Sequence, residues 1–144
     1  KLNSLGPDLL AEKCTDEDFA ISVRRKNKKT IAEAIMDQSV VSGVGNYVKA
    51  EGLYLSKISP HRVVESLSDR ELHNLNVAIR SVLVNSFESG GATIKSYSDF
   101  YGNVGAATQR FAVYGQKTDP QGRQIIKEKT RDGRTTHWVP DVQK

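Results

Sequence analysis

The sequence predicts a mainly α fold of about four helices closed by a C-terminal antiparallel β-hairpin. Three observations carry that expectation. Two capping boxes open apolar-periodic segments, a long apolar stripe at helical spacing runs up to a Gly-Gly pair, and an Asp-Gly turn lies between β-prone runs. The first helix is short, over about Asp16–Val23, after a Thr15-Asp16-Glu17 start. The second opens at the capping box Thr30-x-x-Glu33, takes its apolar side from Ile31, Ala34 and Ile35, and is expected to end near Gln38. The third runs from about Asn46 to Ser56. Tyr47, Ala50 and Tyr54 share one face, Val48 and Leu55 broaden it, and Pro60 lies beyond its end.

The fourth helix has the strongest signal. Ser68 and Glu71 form a capping box, and Leu67 and Leu72 hold the positions of a hydrophobic staple. Leu72, Leu75, Ile79, Val82, Leu83 and Phe87 then make a stripe that ends at Gly90-Gly91. Such a stripe is core, not a ligand surface. Residues 92–109 are polar and lack a sustained period, so they read as a long surface loop. Phe111–Tyr114 is a short strand-like run. In the tail, Arg123–Lys129 and Arg134–Val139 read as strands around the turn Thr130-Arg131-Asp132-Gly133, closed by Pro140.

The chain has 144 residues, 38% hydrophobic and 26% charged, which fits one globular domain with a modest core or a small domain with an appended subdomain. No apolar run approaches the roughly 20 residues needed to span a bilayer. The opening residues KLNSLGPDLL carry no signal-peptide pattern, so an intracellular protein is expected, and a start at Lys suggests a fragment or a processed product. The lone cysteine, Cys14, excludes an internal disulfide and a zinc site built from several cysteines. No cofactor is expected.

The net charge of +4 is unevenly placed. Residues 1–23 hold two basic and five acidic side chains, whereas residues 24–29, RRKNKK, hold five basic and none acidic. Residues 115–144 add seven basic against four acidic. A polyanion held at two places suits this pattern, although a basic run of this kind is also what a solvated linker looks like. Gly43-Val44-Gly45-Asn46 sits between two predicted helices. Glycines let backbone approach a phosphate closely, and the N-terminus of the following helix is positive. Asn46 can add an amide. A tight interhelical turn would account for the glycines equally well; beside a basic run and a basic hairpin, the phosphate reading gains weight.

Met36-Asp37-Gln38, Val41-Ser-Gly-Val-Gly-Asn-Tyr47, Ala50-Glu51, Leu53-Tyr54 and Ile58-Ser-Pro-His61 together resemble the helix–two-turn–helix segment of the formamidopyrimidine-DNA glycosylase and endonuclease VIII family. The resemblance continues through Gly90-Gly91-Ala-Thr-Ile-Lys95 and Phe111-Ala-Val-Tyr-Gly115, and Leu5-Gly6-Pro7 resembles the interdomain segment that precedes it. Family members usually end in a zinc finger with four cysteine ligands. Residues 115–144 contain no cysteine, and His137 is their one typical ligand, so the tail resembles instead the zincless finger of viral, plant and some animal members, giant-virus proteins most closely.

The resemblance implies a helix–two-turn–helix DNA-binding domain over 1–110 and a zincless-finger hairpin over 111–144. It implies that Lys28, Gly43, Gly45, Asn46 and Arg134 hold DNA, that no metal is bound, and that Arg134 grips a phosphate beside the damaged nucleotide during catalysis. It also implies a complete protein that excises oxidised bases and cleaves the strand, acting on double-stranded DNA as a monomer and away from membranes. Family members attack the sugar with an N-terminal Pro followed by Glu. This chain begins Lys-Leu-Asn, so the N-terminal catalytic domain is expected as a missing partner, and the chain alone is expected to be inactive. From another class, a stand-alone helix–two-turn–helix module without catalysis remains an alternative. The finger discriminates against it. Cys14, His61 and His73 read as structural or solvated, and Trp138 as a packing residue of the hairpin.

Overall fold

The structure, a computed structural model, describes residues 15–41, 43–88 and 111–144. In chain order it holds helices α1 (Asp16–Arg24), α2 (Ile31–Met36), α3 (Asn46–Ser56) and α4 (Asp69–Glu88), then strands β1 (Ile126–Lys129) and β2 (Thr135–Trp138). A 3-10 turn at Val64–Ser66 precedes α4. The architecture is the expected one, four helices and an antiparallel hairpin. The loop expected over 92–109, the Gly90-Gly91 stop, Cys14 and the Phe87 side chain lie outside the described residues.

Local chemistry sets the helix starts. Thr15 caps α1 in a reciprocal box with Asp18, and Thr30 does the same with Glu33 at α2. At α4, Glu71 N–H donates to Ser68 Oγ at 3.1 Å while Ser68 N–H donates to Glu71 Oε1 at 2.9 Å. α2 ends at Met36, two residues earlier than expected, because Asp37 turns to extended backbone and its carboxylate accepts from Ser39 N–H at 2.9 Å. α3 ends at Lys57, which takes the left-handed conformation at φ 63°.

α3 is the central helix, with Val48, Lys49, Ala50, Glu51, Gly52 and Leu53 all buried in succession. One side joins the main core, where Val48 and Leu53 meet Phe19, Ile31, Ile35, Leu72, Leu75 and Ile79. The other side meets the finger, where Ala50 and Tyr54 pack with Val113, Ile125 and Val139. The stripe predicted on α4 is core at Leu72, Leu75, Ile79 and Val82, with Leu83 packed at its edge. Leu55, expected to broaden the buried face of α3, is instead 50% exposed.

The hairpin pairs Ile126 with Trp138 and Lys129 with Thr135, leaving residues 130–134 as the turn. The paired strands are shorter than expected. Residues 123–125 instead close a second small turn, in which Asp119 N–H donates to Arg123 O and Ile125 N–H to Lys117 O. Phe111–Tyr114 is not a strand. Its N–H groups from Ala112, Val113 and Tyr114 donate to the Glu51 carboxylate at 2.8, 2.9 and 2.9 Å, so a side chain replaces the neighbouring strand as acceptor.

Candidate nucleic-acid interface

The α2–α3 connection is shaped by Gln38. Its Oε1 accepts from Gly43 N–H at 3.1 Å and its Nε2 donates to Val44 O at 3.2 Å, so one amide spans the turn from within. Gly43 stands at φ 91°, where a side chain would be strained, and open space surrounds the place its Cβ would take. Val44 points into the core, while Gly43 and Gly45 are exposed. Gly45 begins α3 with no side-chain cap, and no acidic residue lies in the first turn. The positive end of this helix therefore faces outward without a counter-anion from the helix itself.

Arg134 comes to the same place from far along the chain. The Asn46 amide Nδ2 donates to Thr135 O at 2.9 Å, tying the start of β2 to the start of α3. Arg134, the residue before, is exposed at the end of the hairpin turn. Asn46 is thus a bridge between helix and finger as much as a surface donor, and its Oδ1 is buried without a hydrogen-bond partner among the described residues.

The basic run splits. Lys26 pairs with Asp37 at 3.6 Å, and Lys26 and Lys29 line a cleft of about 270 Å³ whose other wall includes Arg131 and Asp132 of the hairpin turn. Lys28 turns elsewhere and pairs with Glu65 at 3.3 Å, its side chain 85% exposed. Of the sequence-expected residues, then, Gly43, Gly45, Asn46 and Arg134 converge, and Lys28 stands apart from them.

Residues missed by sequence reasoning hold the constellation together. Lys49, on the first turns of α3, pairs with Asp132 of the hairpin turn at 2.7 Å, with side chains 0% and 2% exposed. Burial lowers the Lys49 pKa, Asp132 opposes that shift, and the nearby Arg134 charge adds to it. The Thr130 hydroxyl touches Asp132 Oδ1 and lies 2.8 Å from Thr136 Oγ1 and 2.9 Å from Arg134 O. Asn46 and Lys49 are three apart on one helix face, a spacing that could have suggested a shared partner. Nothing local pointed to the hairpin as that partner.

The finger has no donor set for zinc. Its tail lacks cysteine, and among the described residues no three His, Cys, Asp or Glu side chains converge as metal ligands. Among the described residues His137 Nδ1 is buried without a hydrogen-bond partner, and the ring stands edge-on to Tyr114 at 5.5 Å. The other two histidines each face a carboxylate, His61 with Glu128 at 2.7 Å and His73 with Asp16 at 3.1 Å. Trp138 donates to the same Glu128 at 2.7 Å.

Residues 5–98 match the family described as the formamidopyrimidine-DNA glycosylase H2TH domain, and residues 105–144 match the formamidopyrimidine-DNA glycosylase C-terminal domain. A formamidopyrimidine-DNA glycosylase of Listeria monocytogenes is 35% identical over 146 residues, covering 99% of this chain and 53% of its own length. That of Herpetosiphon aurantiacus is 39% identical over 141 residues, covering 96% of this chain and 51% of the relative. Among solved structures, the Lactococcus lactis enzyme in complex with DNA containing FAPY-dG superposes with a TM-score of 0.80 at 28% identity, covering 99% of this chain and 52% of that one. MutM in complex with DNA containing carbocyclic 8-oxo-G gives 0.82 at 27% identity, with 99% and 51% covered. None of these bears on the likeness to giant-virus members drawn from the finger. The chain spans about half the length of the relatives it matches. The two family matches together take in residues 5–98 and 105–144, and the chain belongs to the formamidopyrimidine-DNA glycosylase family.

Proposed function

We propose that residues 1–144 grip duplex DNA on behalf of a bifunctional DNA glycosylase/AP lyase that removes oxidised bases, with the nucleophile supplied by an N-terminal catalytic domain outside these residues. The observation that carries the reading is the convergence of an exposed arginine, Arg134, on a glycine turn at an uncapped helix N-terminus. Backbone N–H groups, a helix dipole and an exposed arginine brought beside them suit a phosphate, and they carry no base-reading capacity of their own. The DNA in the related complexes adds support. The presence of the finger favours this reading over a stand-alone helix–two-turn–helix module.

In this reading the Gly43–Asn46 turn and Arg134 hold the backbone near the lesion, and Lys28 adds an outlying contact. The unit works as a monomer. With about three to five phosphate contacts, log affinity for duplex DNA falls against log salt with a slope of roughly −3 to −4, and damaged and undamaged duplexes bind alike. Fluorescence anisotropy across a salt series checks this, and a flat titration overturns the reading. Arg134→Ala and Asn46→Ala each weaken binding by about 1–3 kcal/mol. Arg134→Ala leaves the melting temperature nearly unchanged, whereas Asn46→Ala also loses its tie to Thr135 O.

On this reading the 144-residue chain alone is inactive in Schiff-base chemistry. Borohydride trapping on an abasic duplex proceeds no faster than with an unrelated basic domain. Rapid trapping would place a second nucleophile within these residues.

A further inference from the structure

We propose that Lys49 and Asp132 are positioning residues, whose buried ion pair bolts the hairpin turn to the first turns of α3 and so sets Arg134 against the Gly43–Asn46 turn. The inference rests on the phosphate-grip reading above and adds the device that gives the grip its geometry. Four observations converge on it. The pair is short, at 2.7 Å, and has almost no contact with water. Its lysine begins one helical turn after Gly45, since Lys49 N–H donates to Gly45 O at 2.9 Å. Its aspartate lies two residues before Arg134, and Thr130 braces both, touching the Asp132 carboxylate and, through its N–H at 3.0 Å, Arg134 O. Asn46 clips the next residue, Thr135, to the same helix face.

Charge explains why a buried pair stands here. A hairpin with a turn of five residues pivots easily on two short strands. A lone polar clip at Asn46 would fix one point and leave the turn free to swing about it. The ion pair adds a second fixed point, and the two points together with the packed base of the hairpin define an orientation. Lys49 also neutralises Asp132. Without that ammonium, a buried carboxylate two residues from Arg134 would draw the guanidinium inward and repel the phosphate it is meant to hold. A buried ion pair is weak support for stability by itself, and holding one arrangement against its alternatives is its better-attested use.

The decisive variant is Asp132→Asn, because it separates positioning from simple attraction. It raises the net charge by one, so electrostatics alone makes DNA binding tighter. Positioning makes it weaker, by about three- to tenfold at fixed salt, since contacts that share an arrangement couple on this scale. In an Arg134→Ala background the same substitution changes affinity by less than about twofold, as a residue acting through Arg134 requires. Lys49→Met gives the matching cycle from the other partner. All variants are measured by anisotropy on undamaged duplex, at a temperature where circular dichroism matches the parent.

If Arg134→Ala leaves binding unchanged, the phosphate grip itself has failed. If Arg134→Ala weakens binding while Asp132→Asn binds as well as the parent or better, the grip stands and the positioning role is overturned. Losses that simply add across the cycle overturn it too. Unfolding of both Asp132→Asn and Lys49→Met even in stabilising osmolyte would make the pair a purely structural one, which is also a refutation.

Discussion

Glu51 is a carboxylate with three backbone donors and 6% exposure. Burial raises its pKa, against the pull of those three N–H groups. Glu51→Gln keeps the volume but offers one acceptor oxygen and turns an N–H₂ toward N–H donors, so it lowers stability by about 1–3 kcal/mol in denaturant unfolding. His137 is perturbed in the other direction, its pKa lowered by burial first and then by the charges of Lys127 and Lys49. A folded pKa below the unfolded value of 6.5 means that the stability held above that value is lost as pH falls through the folded one. Melting temperature therefore drops between about pH 7.5 and 5.5, and His137→Asn blunts the drop. A pH-independent midpoint across that window would contradict the assignment. Lys49 and Glu51 were illegible in the sequence for one reason. Charged residues inside an amphipathic helix read as solvent-facing, and their partners lie 83 and 61 or more residues away.

Helix starts were legible because the atoms that make them are three residues apart. Thr30 with Glu33 and Ser68 with Glu71 are bonded as the spacing implied, and Ser68→Ala should lower stability by about 1 kcal/mol. The run Phe111–Tyr114 was misread as a strand because β-prone residues show only that their N–H groups need acceptors, not which acceptor the fold supplies. α3 contains a further constraint that its pattern concealed. A Cβ added at Gly52 would lie 2.9 Å from Ile79 Cγ1 on α4. An exposed helix glycine replaced by alanine gains up to about 1 kcal/mol, but overpacking here costs about 1–3 kcal/mol. Gly52→Ala is therefore net destabilising, and thermal unfolding gives the sign. The glycine exists so that two helices can approach.

At the scale of the whole molecule, polar contacts among the described residues hold the hairpin to the helices. The Gln143 amide accepts from Val139 N–H at 2.8 Å and donates to Ile58 O at 2.9 Å, a cross-link from the tail through β2's end to α3's end. With Thr130–Thr136 and Lys49–Asp132, it does the cross-linking without thiolates. A chelator should leave the melting curve unchanged, and a lowered midpoint would show a metal dependence that these contacts do not predict. The fold class was readable because helices and a hairpin are local objects. The interface was readable only in part. The sequence displayed the glycine turn and Arg134 separately, while their convergence depends on Asn46 and Lys49 reaching a hairpin far along the chain.

The two ends of α3 have one property in common. At its start, Asn46 and Lys49 fasten the hairpin turn, and beyond its last turn Ile58 O and Lys57 O receive Gln143 Nε2 and Lys144 N–H. The hairpin is thus splinted along a helix about 16 Å long. An element clamped at both ends cannot fray from either one. Amide hydrogen exchange should therefore show α3 and the β1–β2 ladder opening together, with matching free energies and matching denaturant dependence, as one cooperative unit. Exchange of the hairpin amides ahead of α3 would reveal a hinge where the clamps predict none.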